Sequence, residues 1–132
     1  MRPIRPLLIE AFRTGDGVPY AAYGTEAVTV QAALNRPAYV NSLVAQWLSA
    51  IPDIAAQLAD ATRPARVADL CCGVGWSTIE LAKAYPHLRI DGLDGDETSI
   101  AAARRNAEDH GVAARVNFEV RDISTPGGLA GR

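Results

Sequence analysis

A chain of 132 residues with a formal net charge of −2 holds at most one domain of ordinary size, and its 48% apolar content supports a real if modest core. No basic block occurs anywhere, which argues against a nucleic-acid or anionic-membrane surface. The two cysteines, Cys71 and Cys72, are adjacent and make neither a disulfide framework nor a zinc set, so a reducing, cytoplasmic setting fits them.

The amino terminus has arginines ahead of a few apolar residues and faintly imitates a signal peptide, but Glu10 and Arg13 cut the apolar run too short. No run approaches the length needed to span a bilayer. Ile4, Leu7, Leu8, Ala11 and Phe12 recur at helical spacing, which predicts a short amphipathic helix over 4–13, broken by Thr14-Gly15-Asp16-Gly17. In the irregular stretch that follows, Tyr20 and Tyr23 either line a ligand mouth or seal a seam between helices.

Thr25 reads as the N-cap of a helix to about Leu34. Asn35-Arg36-Pro37 is expected to interrupt it and to start another with proline at its first position. That next helix carries the clearest stripe in the chain: Val40, Leu43, Val44, Trp47, Leu48 and Ile51. Pro52 and Asp53 then open a shorter helix with Ile54, Leu58 and Ala61 inward, ended by Thr62-Arg63-Pro64. Residues 1–64 are thus expected to be a helical lead-in folded against a sheet that begins near Arg66.

Residues 66–76 organise the rest. A short apolar run ends in Asp69, passes through Cys71-Cys72-Gly73-Val74-Gly75, and gives way to helix-type spacing from Ser77 to Tyr85. This is a strand, a loop with little side chain, and a helix start, an arrangement in which main-chain N–H groups face a ligand. Asp69 at the strand end disfavours a phosphate there and favours a cationic or donor-rich ligand end. Leu88 to Leu93 reads as a second strand ending in Asp94-Gly95-Asp96, followed by a helix from about Glu97 to His110 with Gly111 past its end. The third strand, Val116 to Val120, finishes in Arg121-Asp122-Ile123.

Strand, helix, strand, helix, strand implies a parallel α/β sheet, whose ligand crevice lies beyond the strand carboxyl ends, where Asp69, Asp94 and Asp122 fall. Asp94 comes nineteen residues after Gly75, near the distance at which nucleotide-binding α/β proteins place an acid on a ribose. Asp91 competes for that role, but the strand must run on through Leu93 before its tip. A dinucleotide-binding half is the runner-up. It fails because the third glycine of Gly-x-Gly-x-x-Gly, counted from Gly73, falls on Thr78.

Asp69, Cys72, Gly73 and Gly75 resemble motif I of class I S-adenosylmethionine-dependent methyltransferases, with Cys71 standing where the first glycine usually is. The resemblance implies a Rossmann-like parallel sheet, S-adenosyl-L-methionine as cofactor, and methyl transfer by in-line displacement to an acceptor that cannot be read here. It implies cofactor contacts from Asp69, Cys71, Cys72, Gly73 and Gly75, from Asp94 and Gly95 toward the ribose, and from Asp122 and Ile123 toward the adenine. More loosely, Gly17-Val18-Pro19-Tyr20, Tyr23-Gly24, Asn35-Arg36-Pro37 and Trp47-Leu48 resemble the segment before the methyltransferase domain in bacterial enzymes with an upstream winged-helix module.

Members of that family continue beyond a third strand, so residues 65–132 read as the cofactor half of the domain, with 124–131 leading onward. The first strand would then expose an unpaired edge, expected to be covered by the lead-in helices or by a second copy in a homodimer. No general base is assignable, since His87 and His110 lie at helix ends, and the cysteines read as packing residues. The alternative function is a catalytically incomplete relative acting as a binding or dimerisation module.

Overall fold

The computed structural model describes residues 4–124. Sequence features read over 125–132 lie outside the described residues. Five α-helices and three strands follow in order: α1 (Ile4–Thr14), α2 (Gly24–Ala38), α3 (Pro52–Ala59), β1 (Arg66–Leu70), α4 (Trp76–Ala84), β2 (Arg89–Asp94), α5 (Glu97–Asp109) and β3 (Val116–Val120). A 3₁₀ turn, Tyr20–Tyr23, precedes α2, and a π-helical segment, Tyr39–Leu48, continues it.

The strands form one parallel sheet in the order β1-β2-β3, with Val67 opposite Ile90 and Ile90 opposite Val116. The expected Rossmann-like α/β class, preceded by helices, is what the chain adopts. Alternation along the strands puts Val67, Ile90 and Phe118 on the face that meets α4 and α5. Ile79, Ala82, Ile100, Ala103 and Ala107 bury against them, so the core lies between this face and two helices. The other face is polar where β1 meets its neighbours. Arg66 pairs with Asp91 at 3.2 Å and Asn117 Nδ2 donates to the same carboxylate. Asp91, three residues before Asp94, is therefore on the opposite face from it.

Phe118 is the wedge of this core. A Cβ on Gly92 would sit 2.5 Å from its ring and a Cβ on Gly75 would sit 2.7 Å away. Both glycines make room for one aromatic side chain, and Gly75 also needs its positive φ of 82°.

The lead-in departs from expectation at Pro37. The chain does not break at Asn35-Arg36-Pro37: α2 runs on through the proline, with Tyr23 rather than Thr25 at its N-cap position. Proline supplies no N–H to the turn before it, and immediately beyond it the hydrogen-bonded turn widens from i→i+4 to i→i+5. The wider turn changes which side chains share a face. Leu43 and Leu48, five apart, pack on the core. Val40, Trp47 and Ile51, read as one stripe with them, stay 49%, 47% and 48% exposed.

The π segment packs on α4, not along the outer edge of β1. Among the described residues β1 pairs only with β2, and Leu70 at its tip is 42% exposed. In α3 only Leu58 is buried, while Ile54, and Ala61 beyond the helix end, are exposed; α1 buries none of its stripe, and Phe12 is 91% exposed.

Gly92→Ala should destabilise the chain by about 1 to 3 kcal/mol through overpacking against Phe118. In denaturant unfolding, combining it with Phe118→Leu should cost less than the sum of the two single changes.

Candidate functional site

The loop after β1 is held in a conformation that its sequence alone would not choose. Cys71, Gly73 and Gly75 have φ of 57°, 55° and 82°, so alternate residues occupy the left-handed region. For the glycines this is cheap; for Cys71 it costs roughly 1 to 2 kcal/mol. The surrounding hydrogen bonds explain why the shape persists. Cys72 N donates to Leu93 O at 3.1 Å, and Gly75 N to Cys72 O at 2.9 Å. Asn106 Nδ2 reaches from α5 to Val74 O at 2.9 Å.

Two of the strand-end carboxylates do the rest. Asp69 Oδ2 accepts hydrogen bonds from Ser77 Oγ and Thr78 Oγ1, both at 2.6 Å, and so ties β1 to the first turn of α4. Asp94 Oδ2 accepts from Gly73 N at 2.8 Å, while its Oδ1 accepts from Asp96 N at 2.9 Å. Asp96 in turn caps α5 by accepting from Ser99 N at 2.7 Å. The acids brace the turn before any ligand is considered.

Above the loop lies a cavity of about 310 Å³. Its floor is Cys71, Cys72, Gly73 and Val74, with Asp94 and Ser99 at one side and Trp76 at another. The opposite wall comes from the lead-in: Tyr20, Val28, Gln31, Ala32, Asn35 and Tyr39. Of the residues expected from the sequence, Cys71, Cys72, Gly73 and Asp94 are brought together here. Asp69 and Gly75 support the floor without lining it, and Gly95 is exposed outside.

Asp122 and Ile123 also lie outside the wall. Asp122 accepts from the Ser124 hydroxyl at 2.6 Å and from Ser124 N at 2.9 Å. Those hydrogen bonds hold its carboxyl below the usual value. β3 nonetheless reaches the site, since Arg121 N donates to Asp94 O at 2.8 Å.

Sequence reasoning missed most of the lead-in wall. Tyr20 was recognised as one of two readings, and the cavity contains it. Burial, and then the charges of Asp96 and Asp94, raise its hydroxyl above the ordinary value. Gln31 and Tyr39 carry no motif, and Asn35 stands in the Asn35-Arg36-Pro37 run, which carries only the looser resemblance to a segment before the domain; the signal available is the aromatic and amide content of a helix that has to lie over something. Neither histidine lines the cavity. His87 Nε2 bonds Leu58 O at 2.7 Å, and His110 Nδ1 bonds Asn106 O at 2.8 Å.

Cys72 is a packing residue. Burial, and then Asp69 and Asp94, push its thiol up from 9.0 to about 12. A thiol so placed is not a nucleophile near neutral pH.

Residues 67–129 match the family described as methyltransferase domain. Those residues are just under half of the chain, and the match supports the class I S-adenosylmethionine-dependent methyltransferase resemblance that the loop carries. A 23S rRNA (uracil(1939)-C(5))-methyltransferase RlmD of Methylococcus capsulatus is 43% identical over 70 residues, covering 51% of this chain and 15% of that protein. A trans-aconitate 2-methyltransferase of Streptomyces avermitilis is 36% identical over 74 residues, covering 55% of this chain and 28% of that protein.

The matches thus span less than a third of those two relatives. Among solved structures, an RNA methyltransferase from Salinibacter ruber in complex with S-adenosyl-L-homocysteine is similar at 26% identity and a TM-score of 0.48. That likeness covers 61% of this chain and 50% of that one. A SAM-dependent methyltransferase from Geobacter sulfurreducens, also in complex with S-adenosyl-L-homocysteine, is similar at 33% identity and a TM-score of 0.43. It covers 52% of this chain and 28% of that one. Among the described residues no helix is long and apolar enough to cross a membrane.

At pH 8, a thiol-alkylating reagent should label exposed Cys71 and leave Cys72 unmodified in the native protein, read by peptide mass spectrometry. The raised thiol also sets a sign. Between the unfolded value of 9.0 and the native value of about 12, the unfolded chain binds fewer protons at Cys72 than the native one. Its contribution to stability is complete below pH 9 and is lost as pH rises through that window.

Proposed function

We propose that the chain binds S-adenosyl-L-methionine in the cavity over the Cys71–Trp76 loop, as the cofactor part of a methyltransferase. The observation that carries this is the position of Asp94: its carboxylate holds Gly73 N at 2.8 Å and also lines the cavity wall. Each carboxylate oxygen has a second lone pair, so the same group can still accept from a vicinal diol.

The residues present fit the cofactor in three further respects. Above Gly73 a Cβ would meet nothing within 4 Å, so the main chain there is open to a flat group. Tyr20, Tyr39 and Trp76 offer aromatic surface to a base or to a sulfonium cation. The charged side chain in the wall is an acid, which suits a cation and repels a phosphate.

Within this reading Asp94 takes the ribose hydroxyls, with Gly95 in the turn beside it, and Cys71 to Gly73 form the floor. Asp69 and Gly75 act one layer below, by holding that floor in shape. Asp122 and Ile123 are assigned to the adenine end on the family resemblance. Both Ser124 bonds fall on one oxygen of Asp122, Oδ1. The bound cofactor supplies a methyl group on a sulfonium leaving group. The protein's own contribution is then orientation and exclusion of water, with orientation worth up to about 7 to 11 kcal/mol.

Residues 1–64 serve as the cap of the site and 65–132 as its cofactor half. Two free cysteines support a cytoplasmic setting, and the methyl acceptor stays open.

A second reading, in which the chain self-associates, has its own observation: β1 has a neighbour on one side only among the described residues, and Leu70 at its tip is exposed. An unpaired edge of this kind is a template for a second copy. Sedimentation of the purified chain should show dimers growing with concentration, and a strict monomer at high concentration removes this reading.

Calorimetric titration should show binding of both S-adenosylmethionine and S-adenosylhomocysteine, with a rise in melting temperature. Asp94→Asn should weaken binding about tenfold or more, the scale of a hydrogen bond to a charged group, while circular dichroism stays native. Absence of heat and of any thermal shift at millimolar ligand ends the proposal.

A further inference from the structure

Besides the packing of Leu43 and Leu48 on the core, two side-chain contacts of different character tie the lead-in to the sheet half of the chain. Near α3, the bond from His87 to Leu58 O is backed by the burial of Leu58 itself. The other tie lies where α2 passes into the π segment. There the Arg36 guanidinium stands 4.1 Å from the centroid of the Trp76 ring, and its Nη2 is 3.5 Å from His110 Nε2.

This second tie leads into the cavity floor. Trp76 is the first residue of α4, directly after the glycine loop, and His110 meets its ring edge-on at a centroid distance of 5.3 Å. His110 Nδ1 faces the Asn106 carbonyl, so Nδ1 carries the proton and Nε2 is the acceptor for Arg36. Asn106 then donates to Val74 O, in the floor itself. A side chain on the cap is thereby joined, through two aromatic rings and an amide, to the turn that the ligand would lie on.

The helix that Arg36 holds has little else to keep it down. α2 contributes Val28, Gln31, Ala32 and Asn35 to the cavity wall, yet none of its residues is buried. An element with few buried apolar contacts opens locally at small cost. Its two ends are irregular. Gly24 at its start has φ 77°, and at its far end Pro37 is followed by the widened helical turn.

We infer that Arg36 is a positioning residue, a latch whose stacking on Trp76 clamps α2 over the cavity. Breaking the stack frees α2 from the loop and shortens the stay of whatever nucleoside the cavity holds. The ligand half of this statement rests on the proposed function, whereas the latch itself does not.

Hydrogen exchange of the unliganded chain tests the latch. In Arg36→Met, amides of 24–38 should exchange about fivefold faster than in the natural sequence, the scale of an exposed cation–π contact, while amides of the three strands keep their rates. Arg36→Lys should fall between, because it keeps the charge and loses the flat guanidinium. In a Trp47→Phe background, Trp76 emission should shift to the red in Arg36→Met. S-adenosylhomocysteine should leave that variant faster by a similar factor, and at saturation should restore protection to α2.

Equal exchange of α2 in both proteins, or faster exchange spread evenly over the whole chain, overturns the latch. Failure of the unchanged protein to bind S-adenosylhomocysteine counts against the cofactor reading alone, and the exchange comparison then decides the latch by itself.

Discussion

The site depends on two carboxylates holding a turn in a shape it would otherwise leave. Between Cys71 and Gly75 the backbone visits the left-handed region at alternate residues, one of them a cysteine. Asp94 from the neighbouring strand grips Gly73 N, and Asp69 from beneath grips the hydroxyls of Ser77 and Thr78. Bonds to a charged acceptor are worth roughly 1.5 to 3 kcal/mol each, more than the penalty of one left-handed cysteine. The floor of the cavity is thus shaped in advance, so a ligand need not spend binding energy to order it.

The same economy runs through the core. Phe118 fills the space that Gly75 and Gly92 leave open, so the residue that ends the glycine loop and a residue in mid-strand are coupled through one ring. Arg115, bonded to Ala82 O, and Arg104, bonded to Phe118 O at 2.6 Å, fasten α4 and α5 to the third strand. Packing and site are therefore a single construction on the sheet side. The cap is another matter: it closes the cavity with residues from exposed helices and rests on α4 through Leu43, Leu48 and the Arg36–Trp76 stack. On the proposed reading the rigid part holds a ligand's geometry and the loosely held part governs access.

How far the site was legible can be judged residue by residue. Cys71 to Gly75 and Asp94 could be read because a strand, a bare turn and an acid at a fixed distance are local signals with a physical reason for their spacing. Strand-end position predicts that Asp69 faces a ligand, and the structure turns it toward Ser77 and Thr78. Nothing in linear order shows that two hydroxyls on the next helix reach back to it. The mid-chain stripe was read with a helical period that the π segment does not have, so Val40 and Trp47 were placed inward and lie about half exposed. Asp122 stands at the expected strand tip, but its carboxylate is bonded to Ser124.

What the sequence determined by itself was the succession of strand, loop, helix, strand, helix, strand, the parallel sheet it entails, and the edge of that sheet at which chemistry gathers. Periodicity, turn residues and strand-end acids are properties of neighbours along the chain, and the backbone's handedness does the rest. Tertiary structure alone decided that Pro37 would sit inside a continuous helix, that Phe118 would require Gly92, and that a cap of exposed helices would supply one wall of the cavity. Each of these is set by atoms distant in sequence competing for the same space or the same hydrogen bond, and a linear pattern records no such competition.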